Sequence, residues 1–366
     1  MKKLKVTTYS LPKGRINVDL GIKILTETPL LQLGKWALER KRELHPTRIT
    51  TFIVDRNINY TNICWVGCKF CAFYRKKGDP EGYLLPFEEI DRKIEELLQI
   101  GGTQILFQGG IHPDLKLDYY IRLVDHIHQK YPQITIHGFS APEIDFIAKV
   151  SKISVKEVLE ELKRVGLNSI PGAGAEILVE RVRKIISPKK ITARRWLEIH
   201  KTAHQLGIYS TATMMFGTVE KETEIVAHLE KIRQLQDETG GFRAFILWSF
   251  QPYNTKLYRE KVITTKTSPN RYLRYLAFAR LYLDNFKNLQ SSWVTQGSYI
   301  GQMALLYGAN DLGSTMMEEN VVRSAGATNR LNREEMIRLI RAVGEVPAQR
   351  KTDYSIVKIY QKEKDG

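Results

Sequence analysis

The chain has 366 residues, 43% of them apolar, and carries 56 Lys and Arg against 40 Asp and Glu. That is the composition of a globular protein and excludes a fibre or a disordered tail. A membrane span is excluded too: the most apolar stretch, Phe242 to Phe250, carries Arg243 and is far shorter than the ~20 residues required.

In chain order, the apolar residues of Leu30 to Leu44 predict a helix that packs on the main fold rather than forming a domain of its own. Ile49 to Asn57, rich in Thr, Ile, Val and Phe, reads as the first strand. A helix over Phe87 to Ile100 comes next, then strand two at Thr103 to Gln108 and a helix with Tyr120, Leu123, Val124 and Ile127 on one face. Strand three is expected at Gln133 to Phe139, with a helix opened by the capping pair Ser154 and Glu157. Leu167 to Ile170 is strand four, succeeded by helices over Ala175 to Ile186 and Thr192 to Leu206. Ile208 to Phe216 and Phe242 to Phe250 are strands five and six, with a helix over Glu222 to Gln236 between them. Ser268 and Pro269 open the next helix. Gln290 to Thr295 and Tyr307 to Asp311 are strands seven and eight, and Asn332 caps a last helix, Arg333 to Val343.

Strands alternating with helices predict an α/β fold, a (β/α)8 TIM-type barrel over residues 49–325, with a six-strand partial barrel as the alternative. Residues 1–48 and 326–366 are expected to be N- and C-terminal helical extensions. Functional side chains should gather at the C-terminal ends of the strands. The start of the chain, Met1-Lys2-Lys3-Leu4-Lys5, has no apolar segment behind it, so a cytoplasmic protein is expected. The net charge of +16 is dispersed rather than concentrated in a tract, so no nucleic-acid face is expected.

The cysteines carry the most information. Cys64, Cys68 and Cys71 are the only ones in the chain and lie on one loop after strand one. An odd, clustered set is not a disulfide framework. A structural zinc site wants four Cys or His ligands, and no His lies near this loop. Three thiolates suit a [4Fe–4S] cluster that keeps one iron open for a ligand. Around this loop, Gly109-Gly110 after strand two would let backbone approach a ligand closely. Glu176 succeeds a small-residue loop after strand four, and Arg195 is among the nearby cations. Ser249 and Gln251 come at the end of strand six, and Asn310 and Asp311 are expected at the end of strand eight. His112 and Asp311 are the candidate proton acceptors. Ser249, Gln251 and Asn310 are candidate substrate contacts. His200, His204 and His228 lie on helices and read as packing or surface residues.

The spacing Cys64-x3-Cys68-x-Phe70-Cys71 resembles the radical S-adenosylmethionine (SAM) superfamily, in which SAM chelates the open iron. The resemblance implies that Phe70, Gly109, Gly110, Glu176 and Arg195 line a SAM site. It implies also a one-electron donor such as flavodoxin or ferredoxin. Asp55-Arg56-Asn57-Ile58-Asn59-Tyr60-Thr61-Asn62, Cys71-Ala72-Phe73-Tyr74-Arg75, Gln236 to Phe242, Asn310-Asp311-Leu312-Gly313 and Met316-Met317-Glu318-Glu319-Asn320 narrow it. As a set they resemble the radical SAM enzymes of the futalosine route to menaquinone, whose core is shared by deazaflavin-cofactor synthases. Trp248-Ser249-Phe250-Gln251-Pro252 and Gly217-Thr218-Val219-Glu220 incline towards the member that closes a ring within dehypoxanthine futalosine; sister enzymes often carry His where Thr218 stands. The implied reaction takes the 4′ hydrogen of the ribose and joins that carbon to the benzoate ring. The alternatives are the aminofutalosine-forming and tyrosine-using sister enzymes and, from another class, an iron–sulfur or nucleic-acid-binding protein without catalysis.

Overall fold

The computed structural model describes residues 14–361; the basic start of the chain lies outside them. Two helices come first, α1 (Val18–Glu27) and α2 (Leu30–Leu44), capped at the start by the Asn17 side chain. After them come β1 (Ile49–Ile53), β2 (Asp55–Ile58), α3 (Phe87–Gln99), β3 (Gln104–Phe107), α4 (Leu117–Lys130), β4 (Thr135–Gly138), α5 (Ala141–Ser151), α6 (Val155–Arg164) and β5 (Ser169–Ile170). Next are α7 (Glu180–Ile186), α8 (Ala193–Gln205), β6 (Tyr209–Phe216), α9 (Glu222–Thr239), β7 (Phe242–Ser249), α10 (Lys256–Arg259) and α11 (Pro269–Tyr282). β8 (Asn288–Gln290), β9 (Asp311–Ser314), β10 (Val346–Arg350) and β11 (Ile356–Ile359) complete the sheet.

Strands β2 to β9 run in sequence order and all pair in parallel. β1 and β2 are one run of chain interrupted at Val54. β1 pairs with β9 while β2 pairs with β3. Around the break, Thr315 N donates to the Ile53 carbonyl and Thr103 N to that of Val54. The sheet therefore curls until its first strand joins its last, which is the expected barrel rather than the six-strand alternative. β2, β5 and β9 are buried along their whole length, as strands of a parallel sheet under helices are. The helices present the predicted stripes: Val158, Leu159 and Leu162 of α6 are fully buried, and the Ser154–Glu157 capping box is formed.

The C-terminal extension departs from the helical expectation. After a helix over Arg333–Ala342, the chain turns into the hairpin β10–β11, and β10 lies parallel to β1 on the edge that β3 occupies further along. The last barrel strand also shifts. Tyr307 sits in a 3-10 turn closed by Gly308 at φ +102°, and the strand begins at Asp311 rather than ending there. Asp-Leu-Gly-Ser has weak strand propensity, and burial inside the barrel makes it a strand. α1 and α2 pack on α9 and α11.

Candidate active site

The cysteine loop leaves the C-terminal end of β2 and is pinned along its length. Cys64 N donates to the Arg75 carbonyl and Arg75 N to that of Asn62. The Arg75 guanidinium gathers the carbonyls of Ala72, Phe73 and Tyr74 and bonds Glu81 at 2.6 Å. Gly67, at φ +62°, supplies a left-handed turn between Cys64 and Cys68. All three thiols are free; Cys68 is buried, Cys64 and Cys71 half-buried. Burial pushes the Cys68 thiol up to about 12, opposed by the ammonium of Lys190. Burial raises the Cys71 thiol as well, opposed by the N–H groups of Tyr74 and Phe73.

Beneath this loop lies a carboxylate that sequence reasoning overlooked. Buried Glu143 accepts from Tyr60 Oη at 2.8 Å, Gly109 N at 3.1 Å and both the N and Oγ of Ser140. It ties the cysteine loop, the loop after β3 and the start of α5 into one unit. The signal was present: Ser140 and Glu143 have the same capping-box spacing as Ser154 and Glu157. The glycines after β3 serve this packing. A Cβ on Gly109 would lie 2.6 Å from the Tyr60 ring, and one on Gly110 would lie 2.4 Å from the Ile63 carbonyl oxygen.

Opposite stands the loop after β5. The expected helix from Ala175 starts only at Glu180, and Glu176 sits in the left-handed region at φ +42°. The buried Arg183 guanidinium holds this loop by the carbonyls of Gly174, Ala175 and Ile191. Glu176 is 4% exposed; one of its oxygens accepts from Lys190 Nζ at 2.5 Å and the other is buried without a partner among the described residues. Lys190 Nζ also lies 5.0 Å over the Phe70 ring. Phe70, Glu176 and Lys190 thus form one group beside the cysteine loop.

The comparisons with known proteins agree with this geometry. The Radical SAM superfamily matches residues 58–232 and the CofH/MqnC C-terminal region matches residues 239–363. The chain is 46% identical over 347 residues to "Cyclic dehypoxanthine futalosine synthase" of Halalkalibacterium halodurans, covering 95% of this chain and 93% of that one. The protein of the same name from Streptomyces coelicolor is 47% identical, covering 93% and 85%. The chain belongs to the radical SAM superfamily.

Two further relatives bear other names. "Aminodeoxyfutalosine synthase" of Thermus thermophilus is 38% identical over 91% of this chain and 89% of its own. "5-amino-6-(D-ribitylamino)uracil--L-tyrosine 4-hydroxyphenyl transferase" of Methanopyrus kandleri is 42% identical over 85% of each. Among solved structures, methylornithine synthase (PylB) has a TM-score of 0.70 at 15% identity, covering 92% of this chain and 95% of that one, which speaks to the fold.

The residues of this radical SAM protein suit the cluster its superfamily implies. Three thiols on one loop fit a cluster that takes one thiolate per iron. The N–H groups aimed at Cys71 and the ammonium facing Cys68 favour the thiolates such a cluster needs.

The other predicted residues divide by the end of the barrel they occupy. Ser249 ends β7; its hydroxyl accepts from Gln251 Nε2 at 3.2 Å and from Gln296 Nε2 at 2.5 Å, while Gln251 Oε1 is buried without a partner. His112 flanks the cysteine loop, where Trp65 N donates to the Ile111 carbonyl. Burial lowers its pKa, and Nδ1 accepts from Asp114 N at 3.2 Å. With Nδ1 bonded this way, Nε2 is the ring nitrogen left to meet a ligand. Arg195 is turned to Asp145 at 2.6 Å on the outer helices.

Asp311 and Asn310 do not join the site. They stand at the N-terminal end of β9. Asp311 accepts from Thr51 and the buried Arg350; Asn310 is bonded by Arg280 at 2.7 Å and Leu289 N at 2.9 Å. The later start of the last strand accounts for both misplacements. His200 and His228 are fully buried packing residues, as one of the two expected roles had it.

Proposed function

We propose that this radical SAM protein closes the ring of dehypoxanthine futalosine, joining ribose C4′ to the benzoate ring, as a step of menaquinone biosynthesis. The observation that carries the choice is the 46% and 47% identity, over nearly the whole chain, to two cyclic dehypoxanthine futalosine synthases. Cys64, Cys68 and Cys71 would hold a [4Fe–4S] cluster, and the loop bearing Glu176 faces the place where SAM would lie. Cluster and SAM, when bound, supply a 5′-deoxyadenosyl radical that removes the 4′ hydrogen.

What the chain contributes is position and shelter. Arg75 and Glu143 hold the cysteine loop rigid from behind and below. A reaction within one substrate gains mainly from holding the two reacting carbons close, a task for the end of β7. Gln251 Oε1, buried and unpartnered, is an acceptor for a substrate hydroxyl, and His112 Nε2 a donor for a substrate oxygen. Electrons would come from a small one-electron carrier protein of the flavodoxin or ferredoxin kind. Among the described residues no helix is long and apolar enough to cross a membrane.

The test is anaerobic reconstitution with iron, sulfide, SAM and reductant, and then mass spectrometry on three substrates offered separately. Dehypoxanthine futalosine should give a cyclic product lighter by two hydrogens, one taken from C4′ by the deoxyadenosyl radical and one lost from the ring as a proton together with an electron. Adenosyl transfer to an enolpyruvyl benzoate, or consumption of tyrosine, would assign a sister reaction instead.

A further inference from the structure

Lys190 is a charged group with no part in the proposed reaction. Its side chain is 12% exposed, and its ammonium bonds Glu176 and stands over the Phe70 ring next to the cysteine loop. Burying an ammonium is costly, and the ion pair with Glu176 offsets that cost. Phe70 stands between Cys68 and Cys71 in the loop, so the ammonium over its ring lies against the segment that carries two of the three thiols.

We propose that Lys190 is a positioning residue that sets the reduction potential of the cluster, with Glu176 trimming its effect. This rests on the reading of the cysteine loop as a cluster site. One electron, from a low-potential reductant, adds one negative charge to the cluster, and no bond or proton need change. A cation held close in a poorly solvated place stabilises that added charge, so it makes the cluster easier to reduce. The carboxylate of Glu176, of opposite charge, acts the other way.

The two substitutions should therefore have opposite signs. Lys190→Met should lower the midpoint potential, cutting the ratio of reduced to oxidised cluster at a fixed applied potential by about tenfold. Glu176→Gln should raise it, and Lys190→Arg should leave it close to the parent value. The measurement is a dye-mediated potentiometric titration of reconstituted protein, read by electron paramagnetic resonance with no SAM present. Leaving SAM out separates this role from simple SAM binding by the same pair, which would leave all the titrations superimposed. Iron and sulfide analysis on each variant shows that the cluster is whole. Superimposed titrations with full iron content overturn the inference alone. Parent protein that takes up no iron–sulfur cluster overturns the reading beneath it. Should Lys190→Met lose its cluster, the rise in Glu176→Gln and the parent-like value in Lys190→Arg decide.

Discussion

The two ends of the barrel bury similar residues for different ends. At the N-terminal end, Asp311 is paired with Arg350 and Thr51, and Asn310 with Arg280, Asn288 and the Leu289 amide. At the C-terminal end, three thiols are free, and Glu176 and Gln251 each keep an oxygen without a partner. Both ends are polar. What separates them is their carboxylates: both oxygens of Asp311 are bonded, while Glu176 keeps one without a partner among the described residues.

The largest expected effect breaks the comparison at the C-terminal end. Cys64→Ser, Cys68→Ser and Cys71→Ser should each reduce turnover below detection and lower bound iron, while circular dichroism stays that of the parent. A variant with full iron and activity would remove its cysteine from the cluster. Next comes the other end. Arg350→Met leaves the Asp311 carboxylate buried and unpaired, at a cost of about 3–5 kcal/mol in urea unfolding. The fraction still folded should keep normal SAM cleavage; lost cleavage with unchanged stability would make this end catalytic.

A smaller effect is expected at the joint between the loops. In Gly110→Ala the new methyl would lie 2.4 Å from the Ile63 carbonyl oxygen, and backbone must shift to admit it. The cysteine loop should then hold less iron, by about half or more, with global stability reduced by ~1–3 kcal/mol. Full iron content in this variant would show that the two loops are not coupled.

The smallest is a pH effect in the barrel interior. Burial pushes the Asp55 carboxyl up to about 6, above the ~3.9 of an unfolded chain. As pH falls, the folded protein takes this proton first. The stabilisation is therefore complete below about 4 and is lost as pH rises through about 6. Asp55→Asn should flatten that decline in urea midpoints between roughly pH 4 and roughly pH 6, the window set by the two pKa values. Parallel profiles for parent and variant would mean that Asp55 does not titrate there.

The barrel and its cysteine loop were legible because each leaves a periodic or clustered pattern. β6 and β7 are rich in β-branched and aromatic residues, and the three thiols share one loop. What escaped was set by tertiary contact. Glu143 resembles any helix-capping glutamate until Tyr60 and Gly109 are brought to it. Lys190 sits next to Lys189 in what reads as a surface pair, yet one of them is drawn under the loop by Glu176 and Phe70. Asp311 was misassigned because β9 gains its strand character from the barrel rather than from its own residues. The β10–β11 hairpin was missed for a related reason: Val346-Pro347-Ala348-Gln349-Arg350 contains a proline, which is tolerated at its place beside β1.

The most direct test of where the chemistry lies uses dehypoxanthine futalosine deuterated at ribose C4′. Under anaerobic turnover with SAM and reductant, the proposed reaction predicts one deuterium in the 5′-deoxyadenosine formed, with a cyclised product in equal amount. Unlabelled 5′-deoxyadenosine beside a cyclised product, or adenosyl carried into the product, would contradict it.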